Sequence, residues 1–169
     1  EIAAERFSNP WEVAFHALAT RVTGLTDGFS PLATGRLIAA LDRFEPDVVH
    51  LHDMHGYFVN IGELCSYLKS RRIATVWTFH CEFMYTGRCG YAMECQGWRS
   101  GCQRCPDLKR YPATWFFDFA GHMFKDKLAI FSDFDRLSLV APSQWLAARM
   151  GESLVVRDIP IDVIPNGLD

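Results

Sequence analysis

Two stretches of this sequence hold side chains that could do chemistry. Residues 50–55 read HLHDMH, and residues 79–112 read FHCEFMYTGRCGYAMECQGWRSGCQRCPDLKRYP, which holds five of the six cysteines. In the first, His50 and His52 would share one face of a strand, as paired metal ligands do. The run nearly matches the H-x-H-x-D-H pattern of binuclear metallohydrolases, but Asp53 stands one place early, and carboxylates for a second metal are missing downstream. In the second, Cys89, Cys95, Cys102 and Cys105 are spaced C-x5-C-x6-C-x2-C. A C-x-x-C half-site with two further thiols suits a tetrahedral four-thiolate zinc ion, which would be structural because no position is left open. Glycines at 87, 90, 97 and 101 offer the turns such a clasp needs. Cys81 is the reserve ligand, and Cys65 reads as a small core residue. Two disulfides or four packed thiols are the competing readings.

Composition narrows the classes. The chain has 169 residues, 49% hydrophobic and 22% charged, enough for one sizeable core. A net charge of -3 argues against a nucleic-acid partner, which calls for a basic face. Nothing reads as a membrane span or a secretion signal. Six cysteines are too few for a disulfide scaffold in a chain this long. Clustered thiols in a reducing, cytoplasmic setting suit metal or redox work.

The elements that must position these groups alternate. Asn9, Pro10 and Glu12 form a capping box that opens a helix, with Trp11, Phe15, Leu18 and Val22 on one face and Gly24 ending it. Ser30 and Pro31 open a second helix to about residue 44. EPDVVHLHD, IATVWTF, LSLVAPS and IDVIP read as strands without alternation. Helices capped by Asn60 and Ser143, and one from about Trp115 to Phe131, separate them. Unalternating strands between helices predict a doubly wound parallel α/β sheet. The last of those helices is aromatic, and its apolar residues are spread evenly enough to predict burial. Ligands bind outside the carboxyl ends of such strands. That rule selects His50, His52, Asp53 and His55 after the first strand, and Thr78 and His80 after the second. Ser143 follows the third, and Asn166 and Gly167 the fourth.

The segments PDVVHLHDMHGYFVNIGELCSYL, TFHCEFMYTGRCGYAMECQGWRSGCQRCPDLKRYP, LVAPSQWLA and VIPNGLD resemble, in that order, the amino-terminal domain of family 4 glycosyltransferases. The likeness is to bacterial exopolysaccharide and colanic-acid-type enzymes. It implies the GT-B architecture, two Rossmann-like domains around a cleft. Residues 1–169 would be part of the acceptor-side domain, with the cysteine-rich loop at 81–112. The first strand and the carboxyl-terminal donor domain, with its E-x7-E signature, would lie outside this sequence. The donor, a UDP- or GDP-hexose, would then bind mainly to that other domain, and this chain alone would be inactive. The resemblance makes His80 the catalytic-site histidine, placed against the transferred sugar. His52, Asp53, His55, Asn60, Glu82, Ser143 and Asn166 become candidate substrate contacts, and Cys81 stands where many relatives have Asp. A saccharide or lipid-linked acceptor implies peripheral contact with the inner face of the plasma membrane. The competing functions are a metallohydrolase using His50, His52, Asp53 and His55, and a non-catalytic zinc-bearing interaction domain.

Overall fold

The structure, a computed structural model, describes residues 4–167. Helix α1 (Pro10–Thr23) opens on the expected capping box. Asn9 Oδ1 accepts the Glu12 N–H at 2.9 Å, and Glu12 Oε2 accepts the Asn9 N–H at 3.0 Å. It closes on Gly24 at φ 84°, where an added Cβ would meet the Phe117 carbonyl oxygen at 2.6 Å. Only glycine allows that backbone and that approach together. Helix α2 (Pro31–Phe44) follows and leads into β1 (Val48–His52). Then come α3 (Ile61–Ser70), β2 (Ala74–Thr78), a long loop, α4 (Ala120–Phe131), β3 (Leu137–Ala141), α5 (Gln144–Glu152) and β4 (Ile161–Val163).

The four strands form one parallel sheet in the order β1-β2-β3-β4, a Rossmann-like α/β arrangement. Register sorts the side chains into rows. Leu51, Trp77, Leu139 and Ile161 sit side by side on the face packed by the helices. Leu64 and Leu68 of α3, Phe124 of α4 and Met150 of α5 close over that row as one core. The opposite row, His50, Val76 and Ser138, is half-buried or exposed, and Val48 beside it is 55% exposed. Cover on this face is uneven: toward the carboxyl ends of the strands Thr78 and Val140 are each only 6% exposed.

The long loop belongs to the core. Residues 81–90 are buried without a break, and short 3-10 turns at Phe83–Tyr85 and Gly97–Arg99 are its only regular structure. Buried backbone must find partners, and here α4 supplies one. Lys127 Nζ donates to the carbonyls of Phe83, Thr86 (3.0 Å) and Gly87 (3.3 Å), and lies 3.7 Å from the Phe83 ring centroid. Burial pushes its ammonium down to about 8. From the other end, Arg88 donates to the carbonyls of Pro112 and Leu108.

Three local expectations change. The apolar stripe of α1 faces outward: Trp11 is 84% exposed and Phe15 61%, while His16 and Thr20 form the buried side. The fourth helix begins at Ala120, five residues past Trp115, because Asp118 is drawn away to accept the N–H groups of Ala120 and Cys105. The aromatic segment Trp115–Phe119 thus stays extended and exposed beside the end of α1, where the Trp115 N–H bonds the Arg21 carbonyl at 2.8 Å. Finally, the Ser30 and Asn60 side chains do not cap α2 and α3. Ser30 Oγ bonds His16 Nδ1 at 2.6 Å, and Asp27 caps α3 by accepting the N–H groups of Ile61 and Gly62.

His16 ties α1 to this core, and burial holds its imidazole below its usual range. The unfolded chain takes up a proton near pH ~6.5 while the folded chain resists it. Stability is therefore expected to be full above that pH and to fall as pH drops below it. His16→Ala should remove about 1–3 kcal/mol, because it deletes the bonds to Ser30 Oγ and the Thr26 carbonyl and leaves Ser30 Oγ only a 3.4 Å contact to the Tyr57 carbonyl. His16→Gln should flatten the acid slope. Urea midpoints between pH 5 and 8 check both.

Candidate functional site

The carboxyl ends of β1 and β2 hold the densest group of polar side chains. Because β-strand side chains alternate, His50 and His52 both leave the exposed face of β1, with ring centroids 4.2 Å apart. They then diverge. His50 Nε2 pairs with Thr78 Oγ1 at 2.8 Å. His52 Nδ1 lies 2.9 Å from His80 Nε2, with the two rings stacked at 5.2 Å. One of those nitrogens donates and the other accepts, so at least one of the pair presents a fixed tautomer. Burial, followed by the charges of His50 and His80, holds His52 below its usual range. His52 therefore meets His80 as a neutral ring near pH 7.

The chain after β1 turns sharply. Asp53 takes φ 33° and Tyr57 φ 62°, left-handed conformations that are uncommon away from glycine. The turn swings His55 over the loop that follows β2. Its ring stacks on Phe83 at 5.1 Å and sits edge-on to Tyr111 at 5.8 Å, and both ring nitrogens lie 3.8 Å from Cys81 Sγ. Burial lowers the proton affinity of His55 and lifts the Cys81 thiol to about 11. Both are neutral near pH 7, so Cys81 is no thiolate nucleophile there. Asp53, His55 and Cys81 bring ligand atoms within 4.8 Å of one another, the only such group of three among the described residues. His50 and His52 are not in it, so the paired ligation a binuclear hydrolase needs is absent there.

The remaining candidates divide. Ser143 Oγ accepts the Leu146 N–H and caps α5. Asn166 lies exposed past β4. Asn60 is 7% exposed and fully engaged: Oδ1 accepts the Ser30 N–H, Nδ2 reaches Glu63, and its own N–H goes to Thr34 Oγ1. Glu82, 2% exposed, accepts from Tyr85 Oη at 2.9 Å and from Arg149 Nε at 2.6 Å, pinning the loop to α5. These two hold the frame. Cys89, Cys95, Cys102 and Cys105 gather at the far side of the loop, but no three of their sulfurs lie within 4.8 Å of one another. Cys102 Sγ takes the Gly87 N–H, and Cys105 Sγ lies 3.3 Å from the Asp107 carbonyl. The residues missed by sequence reasoning are Tyr57 and Tyr111, which pack on each other, with Tyr111 also against His55, whereas Thr78, which holds His50, was selected. Only the position of Thr78 at a strand end signalled it.

Residues 3–169 match the family model described as Glycosyltransferase Family 4. Over 109 residues the chain is 34% identical to the "Putative colanic acid biosynthesis glycosyl transferase WcaC" of Escherichia coli (strain K12). That alignment covers 60% of this chain and 27% of the relative, so the chain spans about a quarter of the protein it matches. No solved structure matches.

Glu82 ties the loop to α5. Glu82→Ala leaves the buried Tyr85 hydroxyl and the half-buried Arg149 without their partner and should destabilise the fold by about 1–3 kcal/mol. Chemical denaturation of the variant measures this. A stable variant with impaired turnover would return Glu82 to the site.

Proposed function

Since the chain belongs to glycosyltransferase family 4, we propose that it forms the acceptor side of an enzyme moving a hexose from a UDP- or GDP-linked donor to a saccharide or lipid-linked saccharide. The transfer proceeds with retention at the migrating carbon. The observation that carries this reading is the His52–His80 pair at the edge of the sheet where ligands bind. His80 is the contact to the transferred sugar, and His52 is its positioning partner. The transition state resembles an oxocarbenium ion, and the leaving phosphate needs stabilisation more than the sugar needs a protein nucleophile. An oriented imidazole supplies a hydrogen bond to a sugar hydroxyl and fixes the reacting carbon. The neutral Cys81 supports that economy, since it offers no competing nucleophile near pH 7. Asp53 and His55 are exposed or half-buried on the same turn and take acceptor hydroxyls. Ser143 and Asn166 flank the route toward the donor. The donor nucleotide itself is assigned to a second domain, following the family resemblance.

We assign the enzyme to the cytoplasmic face of a membrane, in peripheral contact. No helix among the described residues is long and apolar enough to cross one. The exposed stripe of α1 and the adjoining Trp115, Phe116 and Phe117 support contact from outside the bilayer, where Trp and Phe are favoured.

In the full-length enzyme, His80→Ala is expected to lower turnover about 100-fold or more, the scale of one lost transition-state contact. His52→Ala should lose less. Its effect should appear in kcat with KM nearly unchanged, because it acts through His80. The acid limb of the wild-type profile should fall only below pH ~6.5, because burial resists the protonation of His52 that breaks the bond. Turnover of UDP- and GDP-hexoses with saccharide acceptors measures these effects. Normal turnover by a folded His80→Ala removes His80 from the site. Separately, Trp115→Ser with Phe116→Ser should reduce flotation with anionic liposomes severalfold, and unchanged flotation overturns the membrane assignment.

A further inference from the structure

Two cations, Arg88 of the cysteine loop and Lys127 of α4, are buried against that loop with no carboxylate in contact. Arg88 is 1% exposed. Its Nη atoms reach two carbonyls and, at 3.9 Å, the Cys105 sulfur, and its Nε has no partner. Lys127 is 5% exposed and meets only carbonyls and the Phe83 ring. The loop's one buried carboxylate, Glu82, is held by Arg149. Asp27 exerts some attraction on Lys127, but it already takes two N–H groups of α3. A guanidinium keeps its proton in any protein environment, and an uncompensated buried charge costs several kcal/mol.

The nearby groups able to become anions are thiols. Cys105 lies beside Arg88. Cys102 Sγ takes the N–H of Gly87 at 3.1 Å, the residue whose carbonyl Lys127 holds, and Cys89 directly follows Arg88. We propose that Cys89, Cys95, Cys102 and Cys105 bind one zinc ion as thiolates, with Arg88 and Lys127 as its buried counter-charges.

The charges balance. Four thiols release four protons to solvent, and zinc held by four thiolates carries a net charge of −2. Arg88 and Lys127 together supply +2. The sulfurs must close in to share an ion, since no three now stand within 4.8 Å. The segments that must move are turns, including Gly101 at φ 114° with open space around it. Four sulfurs leave no open position, so the ion is structural and takes no part in sugar transfer.

The full-length protein, purified without chelator, should contain about one zinc per chain by elemental analysis. Cys102→Ser with Cys105→Ser should lose it, while Cys65→Ser retains it. Because the double variant could misfold, a second measurement uses wild-type protein. Cobalt substitution should give the spectrum of a tetrahedral four-sulfur site, and chelation should make four thiols reactive to alkylation. Arg88→Met should weaken zinc affinity about 10- to 100-fold, the scale of losing a group that supports the ligands. Zinc below about a tenth of an equivalent overturns the proposal, given the tight binding expected of four thiolates. So does a cobalt spectrum with a single sulfur, or metal that depends on Cys81, either of which places the ion at Asp53 and His55. Metal content is read without sugar turnover, so this proposal and the glycosyl-transfer reading can fail separately.

Discussion

Buried carbonyl groups need donors, and in this chain the supply of donors for one loop decides the rest. After β2 the backbone enters the core and stays buried from residue 81 to 90. It forms neither helix nor strand there beyond a single 3-10 turn. Lys127, one turn from the end of α4, answers three of its carbonyls. A neutral amide side chain could not offer three donors from one atom. That contact sets the position of α4 over the sheet and carries the loop against the end of β2. It also holds Phe83, on which His55 stacks, so the site's second wall depends on a lysine far from the strand ends.

The site then follows from strand geometry. A single residue, Leu51, separates His50 from His52, so both leave the same face of β1, yet β2 gives them different partners. Thr78 sits opposite His52 in register, and its hydroxyl reaches back to His50, leaving His52 for His80. Burial, followed by its imidazole neighbours, holds His52 toward the neutral form, a fit condition for hydrogen bonding to hydroxyl groups. The strained turn at Asp53 and Tyr57 belongs to the same arrangement, because it returns His55 toward the loop. Backbone strain of this kind persists where the surroundings fix it, and here packing against Phe83 and Tyr111 does so.

What was legible in the sequence was local. The α1 capping box spans four residues and was read with both its hydrogen bonds. Strand order and the strand-end rule led to His52 and His80 without any knowledge of their contact. The unread parts were long-range. Asp27 caps α3 from 34 residues away, and Glu82 meets Arg149 across 67. Asn60 has the residue type and position of a helix cap, but its side chain joins Ser30 and Glu63 instead. Apolar periodicity found the α1 stripe, yet periodicity records which residues align and not which side of the helix is covered. The charge imbalance in the loop was also beyond reach, since Arg88 looks like any surface arginine until its burial is known.

The strand order has a consequence for how the protein is made. In the sheet, neighbours in space are neighbours in sequence, β1 through β4. Each strand leaving the ribosome can therefore dock on the one before it, and domains do fold from the amino-terminal side during synthesis. The exception is the step from Thr78 to Leu137. There the growing edge of β2 must wait through the whole cysteine loop and α4 before β3 can pair with it. At synthesis rates of about 5–20 residues per second, that wait is on the order of seconds. For that interval β2 presents an unpaired edge, and the loop's carbonyls lack the ammonium that later holds them. A nascent chain paused there is the form most exposed to wrong pairing, and the arrival of Lys127 is the event that ends the exposure.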